Sequence, residues 1–91
     1  MLFDWAPWKA DSNELKHQVT FGFAVRVFAD RKHMTYDVSR PEDADERRKA
    51  VGLVEGKLYC LVYTMRGDVC WIISARRTNS EEDKAYGNLR A

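Results

Sequence analysis

The stretch LYCLVYTMRGDVCWIISARR, Leu58 to Arg77, decides the fold. Two runs rich in β-branched and aromatic residues flank Gly67-Asp68, so the stretch reads as two strands about a tight turn. The runs Leu58–Met65 and Val69–Arg76 are apolar on both faces. That suits central strands, with one face under helices and the other lining a groove or a partner surface. Arg66 stands at the turn, and Arg76 and Arg77 stand at the far end. Either these arginines only solubilise a sheet edge, or they form the phosphate-binding side of a nucleic-acid site.

The rest of the chain builds around this hairpin. Leu2 to Trp5 suits a short strand. Pro7 opens a helix, where its missing N–H is no loss, and the helix runs to about His17. Trp8, Ser12 and Leu15 share one stripe, which is expected to be buried. Lys9, Asn13, Lys16 and His17 share the adjacent face, which is expected to be a polar, basic edge. Thr20 is placed to cap a second helix, Phe21 to Ala29, with Phe21, Ala24, Val25 and Phe28 inward. His33 to Val38 reads as a strand and Ser39 to Asp45 as a loop. Glu46 to Val54 is a strand candidate, with Glu55-Gly56-Lys57 as the following turn. A last helix starts at Asn79 or Ser80, with Glu81, Glu82 and Asp83 near its positive end, and frays at Gly87. The expected class is α+β: a twisted antiparallel sheet, two N-terminal helices packed on one face, and a C-terminal helix.

Length and charge bound the function. Ninety-one residues suit one domain, residues 1–91. Fifteen Lys and Arg nearly cancel fourteen Asp and Glu, so only the distribution of charge is informative. Acids cluster at Glu42 to Glu46 and Glu81 to Asp83; bases cluster at Arg47 to Lys49 and at Arg76-Arg77. No apolar run approaches the roughly 20 residues of a membrane span. The start, MLFDWAPWKAD, lacks the pattern of a signal peptide, so a cytoplasmic protein with no membrane partner is expected. A turn near Gly67 sets Cys60 opposite residues 73 to 75. Cys70 is then out of step by roughly 10–17 Å at ~3.3 Å per residue, too far for a disulfide. Two Cys and two separated His predict no structural zinc, and no cofactor is expected.

Cleavage of RNA by its own 2′-OH needs a base, a cation on the phosphate and an acid for the leaving oxygen, without a metal. Arginine suits the phosphate role because its fork is bidentate and always charged. Arg66 and Arg76 are the candidates for it. His17 and Tyr63 are candidates for moving the proton. Lys9, Lys16, Arg47 and Arg77 are candidate RNA contacts. Each residue also has a plain structural reading. His17 closes a helix end, Arg76 snorkels from a strand end, and Tyr59, Tyr63 and Trp71, which could also stack bases, chiefly pack a core. His33 reads as a surface residue.

Taken in order, the residues resemble the BrnT family of toxin ribonucleases from type II toxin–antitoxin pairs. The resemblance runs through Phe3, Trp5, Lys9 and Asn13, then Lys16-His17, Val19, Phe21, Ala24, Val27-Phe28 and Asp30. It continues with Glu46-Arg47, Gly52, Val62-Tyr63-Thr64, Arg66 and Ile72 to Arg77, and ends with Glu82 and Tyr86. The chain departs from the family's usual pattern at Ala6, Gln18 and Trp71, where Asp, Gly and often Arg stand. The resemblance implies a RelE-like microbial ribonuclease fold, RNA cleavage that stops translation, and a BrnA-like antitoxin in a hetero-oligomer; with the 2′-OH chemistry above, the expected function is a metal-independent endoribonuclease. It also implies contact with operator DNA only through the antitoxin complex. The alternative is a non-catalytic module of the same fold that holds its antitoxin and contributes to operator binding. A general DNA-binding domain is disfavoured, because no helix presents Arg, Asn or Gln along one face for reading bases.

Overall fold

The computed structural model describes residues 1–90, and the side chains of residues 1–88. The elements are β1 (Leu2–Asp4), α1 (Pro7–His17), α2 (Phe21–Ala24), β2 (Met34–Asp37), β3 (Arg48–Val54), β4 (Lys57–Arg66), β5 (Val69–Arg77) and α3 (Ser80–Arg90). The predicted second helix is therefore one α-turn, which continues as a 3₁₀ turn over Val25–Ala29. Thr20 caps it, its hydroxyl accepting the Phe23 N–H at 3.2 Å. Arg48, not Glu46, begins β3. Helix α3 continues through Gly87.

The strand order is β1-β5-β4-β3-β2. Strands β2 to β5 are antiparallel neighbours, but β1 lies parallel to β5, with Phe3 opposite Cys70. The sheet is thus mixed, which corrects the antiparallel expectation. A tight hairpin can only reverse the chain; the long path from β1 to β5 lets the two run the same way. At the β4–β5 turn only Gly67 has a positive φ, 60°, the pattern of a II′ turn that matches the strand twist. The register then slips: Tyr63 faces Ile72, but Val62 faces Ser74, leaving Ile73 as a bulge. Cys60 consequently stands opposite Arg76, one residue beyond the expected range. Both cysteines are buried free thiols.

Alternation along the strands separates two faces. On one, Ala50, Val54, Leu61, Tyr63, Ile72 and Ala75 pack with Phe21, Ala24 and Val27 of α2 and the 3₁₀ turn. Leu61 and Tyr63, which the apolar pattern of β4 left open to either face, lie in this core. Gly52 permits the closest approach: a Cβ there would stand 2.7 Å from the Val27 carbonyl oxygen. On the other face, Met34, Val51 and Cys60 pack with Tyr86 of α3. That helix covers only one end, and Val62, Thr64, Trp71 and Ser74 lie on the remainder.

Helix α1 inverts the expected amphipathicity. Trp8 and Leu15 are 68% and 87% exposed, and Asn13 is the buried residue. The reason is position. Helix α1 packs on β5, beyond the three residues that β1 pairs. There the β5 backbone needs hydrogen-bond partners more than apolar cover. Asn13 supplies them, donating to the Ala75 and Val19 carbonyls and accepting the Ala75 N–H.

Candidate nucleic-acid interface

The open part of the second face begins at the joint between α1 and β5. By pinning Asn13, the fold places Lys9, Ser12, Lys16 and His17 along one wall of a cleft whose other wall is Ile73 and Ser74. The inward turn of the polar face of α1 is what brings these groups to the sheet. His17 is half-buried at the C-terminal end of α1. The helix closes there because Gln18 adopts the left-handed conformation, φ 59° and ψ 32°, and its N–H returns to the Glu14 carbonyl.

Lys9 and Ile73 also belong to the adjoining cavity. This is a space of about 290 Å³ lined further by Ala44, Asp45, Arg47, Thr64, Arg66 and Trp71. The loop before β3 is held against it by a set of local bonds. The buried Thr64 hydroxyl donates to the Glu46 carbonyl at 2.8 Å, and Ser39 Oγ accepts the Arg47 N–H at 2.8 Å. The Asp43 carboxylate takes a bidentate pair from Arg40 and lies 3.4 Å from Arg47 Nε. Arg66 extends over the ring of Trp71, its guanidinium carbon 4.8 Å from the centroid, and only a 4.0 Å contact links it to Asp45. Lys9, Lys16, Arg47 and Arg66 thus surround one shallow tract of sheet, with His17 and Ser74 at its edge.

Three candidates lie elsewhere. Tyr63 is buried on the covered face, where the ring of Phe28 meets it edge-on at 5.3 Å. Its phase differs from that of Arg66 because the two are three positions apart on β4. Arg77 lies at the far end of the hairpin, over Tyr59, with Nε donating to the Leu58 carbonyl. Arg76 faces the open side but is tied in two bonds of 2.9 Å to the buried carboxylate of Glu82, which Lys49 also meets at 2.9 Å. Arg76, a candidate for the phosphate role, is thus a joint between β5 and α3.

Glu82 and Asn79 form a reciprocal cap at the start of α3: each backbone N–H donates to the other's side chain at 2.9 Å. Burial on its own would push the Glu82 carboxyl up, but the Arg76 fork, the Lys49 ammonium and the Asn79 N–H outweigh it and hold it at about 2. The same bond raises the Arg76 guanidinium further above its ordinary range. Cys60, beneath this cluster, is pushed up to about 12, chiefly by burial. A second anchor holds α3: Tyr86 donates to the Asp30 carboxylate, which also accepts the Leu53 N–H where β2 leaves β3 unpaired. Burial opposes ionisation of Asp30, yet its hydrogen bonds lower it below the usual carboxylate value. His33, read from sequence as a surface residue, is half-buried against Phe28.

From sequence Trp71 belonged chiefly to the core, Asp45 and Thr64 had no role in the site, and Glu82 had only a place near the positive end of the last helix. The bulge at Ile73 sets which β5 residues face outward, and nothing local announced it. Among the described residues no group of three or more His, Cys, Asp or Glu is arranged to hold a metal ion. No described helix is long and apolar enough to cross a membrane.

The family model described as "Ribonuclease toxin, BrnT, of type II toxin-antitoxin system" matches residues 5–82. No curated protein matches the chain. The matched segment holds the Lys9–His17 wall, the Arg47 loop and the β3–β5 face, and a type II system implies an antitoxin partner. The chain belongs to the BrnT family of ribonuclease toxins of type II toxin–antitoxin systems.

Proposed function

We propose that the protein is a metal-independent endoribonuclease of RelE-like fold, cutting RNA on the open sheet face by attack of the 2′-OH and so stopping translation. The observation that carries this is the convergence of Lys9, Lys16, Arg47 and Arg66 around a tract whose edge holds His17. The cations hold successive phosphates, and Arg66 offers a bidentate fork to the one that reacts. His17 accepts the 2′-OH proton and, in its protonated form, returns one to the leaving 5′ oxygen. Tyr63 has no path to RNA from the core and is left out of this mechanism. Arg76 joins the site only if Glu82 releases it. The neutralising partner is a BrnA-like antitoxin, which competes with RNA for the open face and carries the complex to operator DNA. The setting is the cytoplasm.

The Arg76–Glu82 clamp favours one other reading: a non-catalytic member that binds antitoxin and operator complex without cutting. Incubation of purified protein with single-stranded RNA in excess EDTA separates the two. Cleavage should persist and leave 2′,3′-cyclic phosphate ends, and His17→Ala should slow it by about 10²-fold or more. Activity that disappears with chelator and returns with magnesium overturns the mechanism. No cleavage under either condition supports the binding module.

A further inference from the structure

The cavity among Lys9, Arg47 and Arg66 contains one indole and one exposed carboxylate. Phosphate binding explains neither. Building on the ribonuclease reading above, we propose that this cavity is a slot for a single guanine of single-stranded RNA. Trp71 is its stacking surface, and Asp45 accepts hydrogen bonds from the base edge.

Size and shape come first. About 290 Å³ is at the lower end of small-ligand pockets, which admits a base but not a duplex. In an A-form helix the base edges are paired and stacked, so the base must come from a single strand.

The present occupant of the indole is weakly held. The Arg66 side chain is 55% exposed, and its ion pair with Asp45 spans 4.0 Å. A base stacked on an aromatic ring is held more strongly than an exposed cation–π contact. An entering base therefore takes the place of the guanidinium, which turns to the adjoining phosphate, where its fork binds best. Lys9 and Arg47 on the cavity walls take the flanking phosphates.

That exchange leaves the Asp45 carboxylate beside the edge of the base. An ionised carboxylate only accepts hydrogen bonds. Guanine alone presents two adjacent donors, N1–H and the N2 amino group, on its Watson–Crick edge. Adenine and cytosine set an acceptor nitrogen beside their amino group, which repels a carboxylate. Uracil sets its one N–H between two carbonyls. The Thr64 hydroxyl, bound to the Glu46 carbonyl, anchors the loop next to Asp45.

The test measures binding apart from cleavage. Short 2′-O-methyl oligouridines, which lack the attacking hydroxyl, carry one central G, A, C or U. The wild-type protein should bind the G oligomer about tenfold more tightly than the others. Asp45→Asn should remove that preference. Trp71→Ala should weaken the G oligomer about tenfold or more, and Trp71→Phe should recover part of the loss. Trp71→Phe keeps a ring in the sheet, so it remains informative if the alanine variant fails to fold. Tight binding with no base preference overturns the slot and leaves the ribonuclease reading standing. A preference that survives Asp45→Asn also overturns it. Failure to bind any of the four rejects both.

Discussion

Asn13 meets Ala75, 62 positions along the chain, with the two bonds that a neighbouring strand would make. Its Nδ2 donates to the Ala75 carbonyl at 2.9 Å, and its Oδ1 accepts the Ala75 N–H at 3.0 Å. A third bond of 3.0 Å reaches the Val19 carbonyl. One side-chain amide thus ends the sheet, closes the turn after α1, and sets Lys9, Lys16 and His17 beside β5.

Asn13→Asp should be more damaging than its small volume change suggests. A carboxylate keeps the acceptor for the Ala75 N–H but faces two carbonyl oxygens with no proton to offer. Leaving two buried acceptors unsatisfied costs about 2–4 kcal/mol, and charge repulsion adds to it. Urea unfolding at neutral pH is the measurement. A midpoint within error of wild type would show that the amide is dispensable.

Acid should loosen α3 first. The Glu82 carboxyl is held at about 2, against 4.5 in the unfolded chain. A carboxyl lowered on folding contributes its stability above the unfolded value and loses it as pH falls through the folded one. The loss therefore runs from about pH 4.5 down to about pH 2, and amounts to on the order of 3 kcal/mol at most. Glu82→Gln should be less stable at neutral pH and flatter across this window. Equal acid limbs for the two proteins would refute the assignment.

Arg76→Ala should lower thermal stability, since it leaves a buried carboxylate with only Lys49 and its cap. Loss of about 2–3 kcal/mol is expected, less than for a wholly buried pair because Arg76 is 35% exposed. Any fall in RNA cleavage by this variant must therefore be read beside its melting curve. An unchanged melting temperature would mean that the clamp is incidental.

Gln18→Gly should stabilise. Gln18 pays a steric cost of roughly 1 kcal/mol for its left-handed conformation, which glycine avoids. The greater freedom of glycine in the unfolded chain offsets part of this. The expected gain is about 0.5 kcal/mol, seen as a small rise in melting temperature; a fall would mean that the Gln18 side chain contributes more than its strain costs.

Salt should report the cationic tract. Four phosphate contacts by Lys9, Lys16, Arg47 and Arg66 predict a slope of about −3 for log K against log salt, from about −0.7 per contact on a single strand. Lys9→Ala should reduce the slope by about 0.7 without changing base preference. A slope near zero would place RNA elsewhere.

Much of the fold could be read from local pattern. The hairpin around Gly67, the start of α1 at Pro7 and the Thr20 cap all follow from neighbours in sequence, and the structure contains each of them. The site was legible only as an inventory. Lys9, Lys16, His17, Arg47 and Arg66 were named, but their meeting depends on the bulge at Ile73 and on the inward turn of α1. Tyr63 and Arg76 carry the same side-chain chemistry wherever they stand. Burial beside Phe28 and pairing with Glu82 separate them from the residues of the open face.

What the sequence by itself determined was the set of elements and the kinds of group they carry. Turn chemistry, capping and alternation act over a few residues, where the chain cannot avoid them. The faces were decided only by the tertiary structure. Trp8 and Leu15 have the hydrophobicity to be buried, but α1 lies at the flank of β5, where unpaired peptide groups outweigh apolar cover and Asn13 answers them. A hydrogen bond between residues 62 positions apart leaves no trace in local periodicity, and it is this bond that turns a helix's polar stripe into one wall of a cleft.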